Sequence, residues 1–206
     1  MAPSDNTTTI PDTSAQLVSL VNQAREGNRS ALTQLADQFH QEIFRMIFYR
    51  IRSRVDAEDI TQDVILKAFQ KISSVKEAAK FRGWLFSIAL NRVRDFQRKK
   101  RFRSLFKKED ENIDSHPIEK TDSDQPEALA QVLQKDFWRQ VGLVLKKLPT
   151  MEREVFLLRF FDHLSLKEIA GVLKKNESTV KTHLYRALAK FKKEPAMRQL
   201  LNEVIR

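Results

Sequence analysis

The chain contains no cysteine. That excludes a disulfide framework and any thiolate-held metal, and it allows a reducing compartment. No apolar run approaches the roughly 20 residues a bilayer-spanning helix needs, so membrane insertion is not expected. The N-terminal stretch MAPSDNTTTIPDTSAQ is polar and has neither the basic nor the apolar block of a secretory signal; a cytoplasmic location is the expectation. Glycine and proline are scarce, at 4 and 6 of 206 residues, while most long segments repeat their apolar residues with helical spacing. The expected fold is all-α. The four histidines, His40, His116, His163 and His183, are scattered without metal-ligand spacing. No Walker loop, G-x-S-x-G or paired-carboxylate motif is visible. No enzyme activity, cofactor or bound metal is therefore expected.

Positive charge is abundant. Lys and Arg total 37 against 27 Asp and Glu, a formal net charge of +10, which favours a polyanionic partner. The acidic residues are not spread evenly. Residues 107–127 carry Glu109, Asp110, Glu111, Asp114, Glu119, Asp122, Asp124 and Glu127, with two prolines and almost no apolar side chain. This composition predicts a flexible acidic linker, and it divides the chain into two small helical domains at 15–106 and 128–195. Residues 1–14 read as a disordered tail, and 196–206 as a C-terminal tail with helical character.

In the first domain, Leu17, Leu20, Val21 and Ala24 open a helical pattern. Gly27 and Asn28 break it, and Asn28 or Ser30 can cap the next helix. There Leu32, Leu35, Phe39, Ile43, Met46 and Ile47 recur three or four residues apart. A third helix is expected in SRVDAEDITQDVILKAFQKI, with Asp56 as N-cap and Asp59 at N3. A fourth is FRGWLFSIALNRVRDFQRKKRF, with Trp84, Leu85, Ile88 and Ala89 as its buried face. Its second half holds Arg92, Arg94, Arg98, Lys99, Lys100 and Arg101, cations suited to phosphates. Asn91, Asp95 and Gln97 among them suit base edges. Phe81, Phe86 and Phe96 are candidates for stacking on unpaired bases, against a core role that Phe86 and Trp84 favour.

In the second domain, Leu129, Val132, Leu133, Phe137, Val141, Val144 and Leu145 mark one helix, stopped at Pro149. Thr150 is the expected cap of MEREVFLLRFFDH. The stretch SLKEIAGVLKKNESTVKTHLYRAL follows. Ser165 and Glu168 form an S-x-x-E capping box. Leu166, Ile169, Ala170 and Leu173 share a face, Lys-Lys-Asn forms a joint, and Asn176 can cap a second helix. In that helix Val180, Leu184 and Leu188 should face inward. Ser178, Lys181, Thr182, His183, Tyr185 and Arg186 are left exposed, a set fitted to base edges and phosphates in a major groove. Two short helices so joined predict a helix-turn-helix. Lys174 stands where such a joint often has Gly, because that position often takes φ > 0; mild strain or a different turn is expected.

DAEDITQDVILKAF, then FRGWLFSIALNRVRDFQRKKR, an acidic linker, and LPTMEREVFLLRFFDHLSLKEIAGVLKKNESTVKTHLYRAL occur in this order. Together they resemble a bacterial RNA polymerase sigma factor of the small extracytoplasmic-function branch, which keeps only regions 2 and 4. The resemblance covers roughly residues 15 to 195, and it implies roles. Asp59, Gln62 and Asp63 would meet the clamp helices of the polymerase β′ subunit. Asn91, Arg94 and Asp95, with Arg98 and Lys99, would capture melted −10 DNA. Ser178, Lys181, Thr182, His183, Tyr185 and Arg186 would recognise the −35 element. A surface including Val155, Phe156 and Phe160 would meet the β flap. The implied partners are core RNA polymerase, promoter DNA and an anti-sigma factor, and the acidic linker would lie in the RNA path. The residues from EREVF to KTHL also resemble the DNA-binding domain of LuxR-type regulators. The front half shows no βαβ sensor pattern, which disfavours that alternative.

Overall fold

A computed structural model describes residues 13–106 and 141–193, and every regular element among them is a helix. In chain order these are α1 (Thr13–Arg25), α2 (Arg29–Ile51), α3 (Arg54–Lys71), two short 3₁₀ turns (Ile72–Ser74 and Ala78–Lys80), and α4 (Phe81–Phe106). Beyond residue 140 come α5 (residues 141–147), α6 (Thr150–Phe160), α7 (Leu166–Leu173) and α8 (Glu177–Lys193). The expected linker, the helix residues Leu129 to Phe137 and the C-terminal tail lie outside the described residues.

The apolar spacing of α2 does what a 3.6-residue period requires. Ala31, Leu35, Phe39, Ile43, Met46 and Ile47 are all buried, and they form the stripe against which α1, α3 and α4 pack. Asn28 caps this helix, its side-chain oxygen accepting from the Ala31 N–H at 3.2 Å. Helix α3 starts earlier than the sequence suggested. Ser53, not Asp56, is the N-cap, with Asp56 in the first turn at N3 and Asp59 already in the second turn. Ser53 had the right side chain, and the exposed Arg54 and Val55 hid the true start because neither adds to the apolar stripe. Helix α6 is likewise capped by Pro149 without a side-chain bond, and Thr150 is its first residue. Pro suits such an end, since it has no N–H to leave unpaired.

Two apolar clusters hold the helices. The larger joins α1 to α4 with Val155 and Leu158 of α6, Leu164 of the following loop, Ile169 and Ala170 of α7 and Val180 of α8. The smaller joins Val141, Val144, Leu145 and Leu148 to Phe156, Leu157, Ala187 and Phe191. Helix α6 therefore serves both, turning Val155 and Leu158 one way and Phe156 and Leu157 the other. This divides the surface that was expected to meet the β flap: Val155 and Phe156 are core residues, and only Phe160 remains part-exposed.

The joint between α7 and α8 is tight. Lys174 takes φ 52° and ψ 47°, the left-handed conformation, and its N–H returns to the carbonyls of Ala170 and Gly171. An L side chain pays about 1–2 kcal/mol there, partly offset in comparison with Gly by the greater freedom Gly has when unfolded. Lys174→Gly should therefore stabilise the chain by up to about 1 kcal/mol. Denaturant titration checks this; a destabilised variant would mean the joint is not strained.

Candidate nucleic-acid interface

The helix-turn-helix is built from short-range interactions. Ser165 Oγ accepts from the Glu168 N–H at 3.2 Å, and the Glu168 carboxylate accepts from the Ser165 N–H at 2.8 Å, a complete capping box. Asn176 Oδ1 accepts from the Thr179 N–H at 2.8 Å and starts α8. The inward ridge of α8 is Val180, Ala187 and Phe191, all essentially inaccessible, while Leu184 and Leu188 are only part-buried.

Opposite that ridge, Ser178, Lys181, Thr182, Tyr185 and Arg186 are exposed. Their spacing of three, four, seven and eight residues from Ser178 places them on one helical face. Tyr185 stands 73% exposed, far more than a ring with a packing role would. The hydroxyls of Ser178 and Thr182 donate to Asn176 Oδ1 and to the Ser178 carbonyl, so toward a ligand they are acceptors. His183 departs from the expected set. It is part-buried, and its Nδ1 is enclosed without a hydrogen-bond partner.

Helix α4 presents a second polar face. Asn91, Arg94, Arg98 and Lys99 are exposed, with Lys100 and Arg101 beyond them. Asp95 is half-buried and pairs with Arg98 at 3.0 Å. Gln97 donates to the Arg50 carbonyl at 3.2 Å, which ties it to α2 instead of leaving it for a base. Phe81 and Phe86 are 2% and 1% exposed, so both belong to the core and neither can stack on a base; Phe96 is half-buried. The early part of α4 had to fill the bundle, and the aromatic residues there did so.

A third face lies on α3. Asp59, Gln62 and Asp63 are exposed beside Val55 and Leu66, which are 69% and 59% exposed. Carboxylates, an amide and two bare aliphatic side chains on one helix make a surface suited to a protein partner. Asp63 also receives Arg92 of α4 at 3.1 Å.

One cluster was invisible in the sequence. Arg50, at the end of α2, is buried with a side chain 3% exposed. Its Nε donates to Glu154 at 2.7 Å, one Nη to Asp162 at 2.9 Å and the other to the Met46 carbonyl at 2.8 Å. Burial alone would lower the Arg50 pKa, but the two carboxylates outweigh it and hold the guanidinium above its usual value. Burial pushes the Asp162 carboxyl up, and Arg50 only partly counters it. Nearby, Arg82 of α4 reaches Glu42 at 3.1 Å, the Asp162 carbonyl at 2.8 Å and the Glu168 carboxylate at 3.6 Å. These partners are separated by up to 112 residues in sequence, and no periodicity connects them.

The fold and its exposed polar helices define a helix-turn-helix DNA-binding protein. Residues 35–103 match the family Sigma-70 region 2, and residues 138–191 match Sigma-70, region 4. The ECF RNA polymerase sigma factor BldN of Streptomyces coelicolor is 33% identical over 85% of this chain, which spans 64% of BldN's length. The RNA polymerase sigma factor SigV of Bacillus subtilis is 30% identical over 80% of this chain and 90% of its own. The structure of CnrH in complex with the cytosolic domain of CnrY aligns with a TM-score of 0.62 at 26% identity, covering 91% of this chain and 97% of that one. The chain belongs to the Sigma-70 family of RNA polymerase sigma factors, in the extracytoplasmic-function branch. Promoter-specific transcription initiation is the function of this class, and the LuxR-type alternative is not favoured.

Proposed function

We propose that this sigma factor works through four separate faces on two units, residues 15–106 and 128–195. Helix α8 enters the −35 major groove with Lys181, Thr182, Tyr185 and Arg186, Ser178 lying at its entry and His183 at its edge. The observation that carries this reading is the exposed polar face of α8 set against a fully buried ridge on the same helix. Nothing else in the described fold occupies that face, and a helix so seated is held rigid for groove contacts.

Helix α4 captures melted −10 DNA. Arg94, Arg98 and Lys99 supply phosphate contacts, and Asn91 and Asp95 lie where an unstacked base would be met. Unstacking costs a few kcal/mol, which phosphate contacts and base contacts together offset without nucleotide hydrolysis. Asp59, Gln62 and Asp63 dock on the polymerase β′ clamp helices, with the part-exposed surface around Phe160 directed to the β flap. CnrH was solved with a protein bound to it, and by analogy an anti-sigma factor is proposed as a regulatory partner of this chain. The site of action is the cytoplasm, at the nucleoid when the protein is bound to polymerase.

Mixing the purified chain with sigma-free core polymerase and genomic DNA should yield discrete start sites that share an upstream pair of motifs. Asp63→Arg should reduce core binding by about tenfold, because it replaces attraction by like-charge repulsion at the docking face. The same variant should leave duplex −35 binding unchanged. Duplex binding without any transcript would instead favour an operator-binding regulator.

A further inference from the structure

We propose that Ser178 and Thr182 make the −35 reader select bases that carry an amino group in the major groove, adenine or cytosine on the strand it contacts, and reject guanine and thymine there. The proposal deepens the α8 assignment above and rests on it. A serine or threonine hydroxyl has one proton and two lone pairs, so it ordinarily reads donors and acceptors alike. In this helix both protons are already committed.

The heavy atoms alone show this. Asn176 Oδ1 lies 2.8 Å from the Thr179 backbone nitrogen. A backbone N–H only donates, so the amide atom that faces it is the oxygen and not the nitrogen. The same oxygen lies 2.9 Å from Ser178 Oγ. An amide oxygen only accepts, so the Ser178 hydroxyl is the donor. Thr182 Oγ1 lies 2.9 Å from the Ser178 carbonyl oxygen, which also only accepts. Each hydroxyl therefore offers lone pairs alone to anything outside the helix. Phosphate oxygens, O6 and N7 of guanine and O4 of thymine are all acceptors and find no proton there. The N6 amino group of adenine and the N4 amino group of cytosine are the donors of the major groove. Turning either hydroxyl proton outward to a phosphate would break a bond at the start of the helix.

The surroundings agree. Glu177, exposed beside Ser178 in the first turn of α8, is a carboxylate that accepts without donating and repels phosphate. The exposed Lys181 and Arg186 are donors only, and they are left for guanine and for phosphates. Ser178 and Thr182 stand one turn apart, about 6 Å at about 1.5 Å per residue, against about 3.4 Å per base-pair step. The two amino groups should therefore lie within about two steps of each other.

Holoenzyme assembled from the full chain and core polymerase tests this on a promoter it transcribes. Each adenine of the −35 element is replaced in turn by purine and each cytosine by 2-pyrimidinone, which lack only the amino group. At two positions, within about two steps, binding should weaken about three- to tenfold. Thr182→Val should weaken binding of the natural promoter by a similar factor, with no further loss from the analogue at its own position. Thr182→Ser should restore both the affinity and the sensitivity to that analogue. Ser178→Ala should behave in the same way at the second position. Losses that simply multiply at every position would overturn the proposal, and so would a Thr182→Val loss that is abolished by a methylphosphonate in the DNA backbone, which marks a phosphate contact. In either case a weakened Arg186→Ala variant would leave the α8 assignment standing. Unchanged −35 binding by Arg186→Ala, Thr182→Val and Ser178→Ala together would remove both.

Discussion

Replacing Phe191 by alanine should destabilise the protein by about 3–5 kcal/mol, the largest effect expected of a single change on helix α8. Phe191 is 1% exposed, and its ring stacks on Phe156 at 4.2 Å with an interplanar angle of 7°. Phe156 also contacts Phe160 at 4.7 Å, so three rings form the centre of the smaller apolar cluster. The truncation removes the transfer free energy of the ring and leaves a cavity that helices on both sides hold open. Against a total stability of about 5–15 kcal/mol, such a loss is large. It also has a functional consequence. The C-terminal half of α8 is seated by Ala187 and Phe191 and by the Lys190–Glu152 ion pair at 2.6 Å. A loosened seat lets the reading face tilt, so −35 recognition should fall even where the fold survives. Denaturant unfolding measures the first effect and promoter binding the second. A loss of less than about 1 kcal/mol would show that the cluster collapses to fill the space.

Arg186→Ala is expected to weaken recognition of the −35 element by about 1–3 kcal/mol, or roughly 5- to 150-fold, while core polymerase binding is unchanged. Arg186 is exposed one turn beyond Thr182 and beside Tyr185, and it makes no ion pair with the described residues that the substitution would disturb. The mode of contact is readable from the same experiment. If Arg186 meets a base edge, the loss is confined to the intact −35 sequence and shrinks when that base pair is changed. If it meets a phosphate, all sequences weaken alike and the salt slope falls by about 1. Unchanged promoter selection would refute the groove assignment.

What the sequence revealed follows from the range of the interactions involved. The capping box at Ser165 and Glu168 and the Asn176 cap involve residues three apart, and the exposed face of α8 is set by one helical period. The left-handed Lys174 was detectable because a glycine was missing from a position that often requires one. Helix starts were harder to place. Ser53 and Asp56 both carry capping side chains, and only the exposed Arg54 and Val55 separate them. Aromatic side chains were the most ambiguous, since Phe81 and Phe156 suit a core and a surface equally until neighbours are known. The Arg50 cluster lay beyond local reading, because Glu154 and Asp162 are 104 and 112 residues away.

Glu168 carries an unusual double demand. Its Oε2 accepts from the Ser165 N–H and hydroxyl, while its Oε1 faces Arg82 across the junction. The two oxygens thus divide the side chain between capping α7 and tying it to α4. The cap is made wholly by Ser165 and Glu168 at the start of α7, so it does not depend on the Arg82 contact. The position consequently accepts few replacements. Aspartate is a methylene shorter and cannot span both partners, and glutamine keeps the cap but surrenders the charge. Glutamine at this one position would therefore loosen the contact with α4 while leaving the cap of α7 in place.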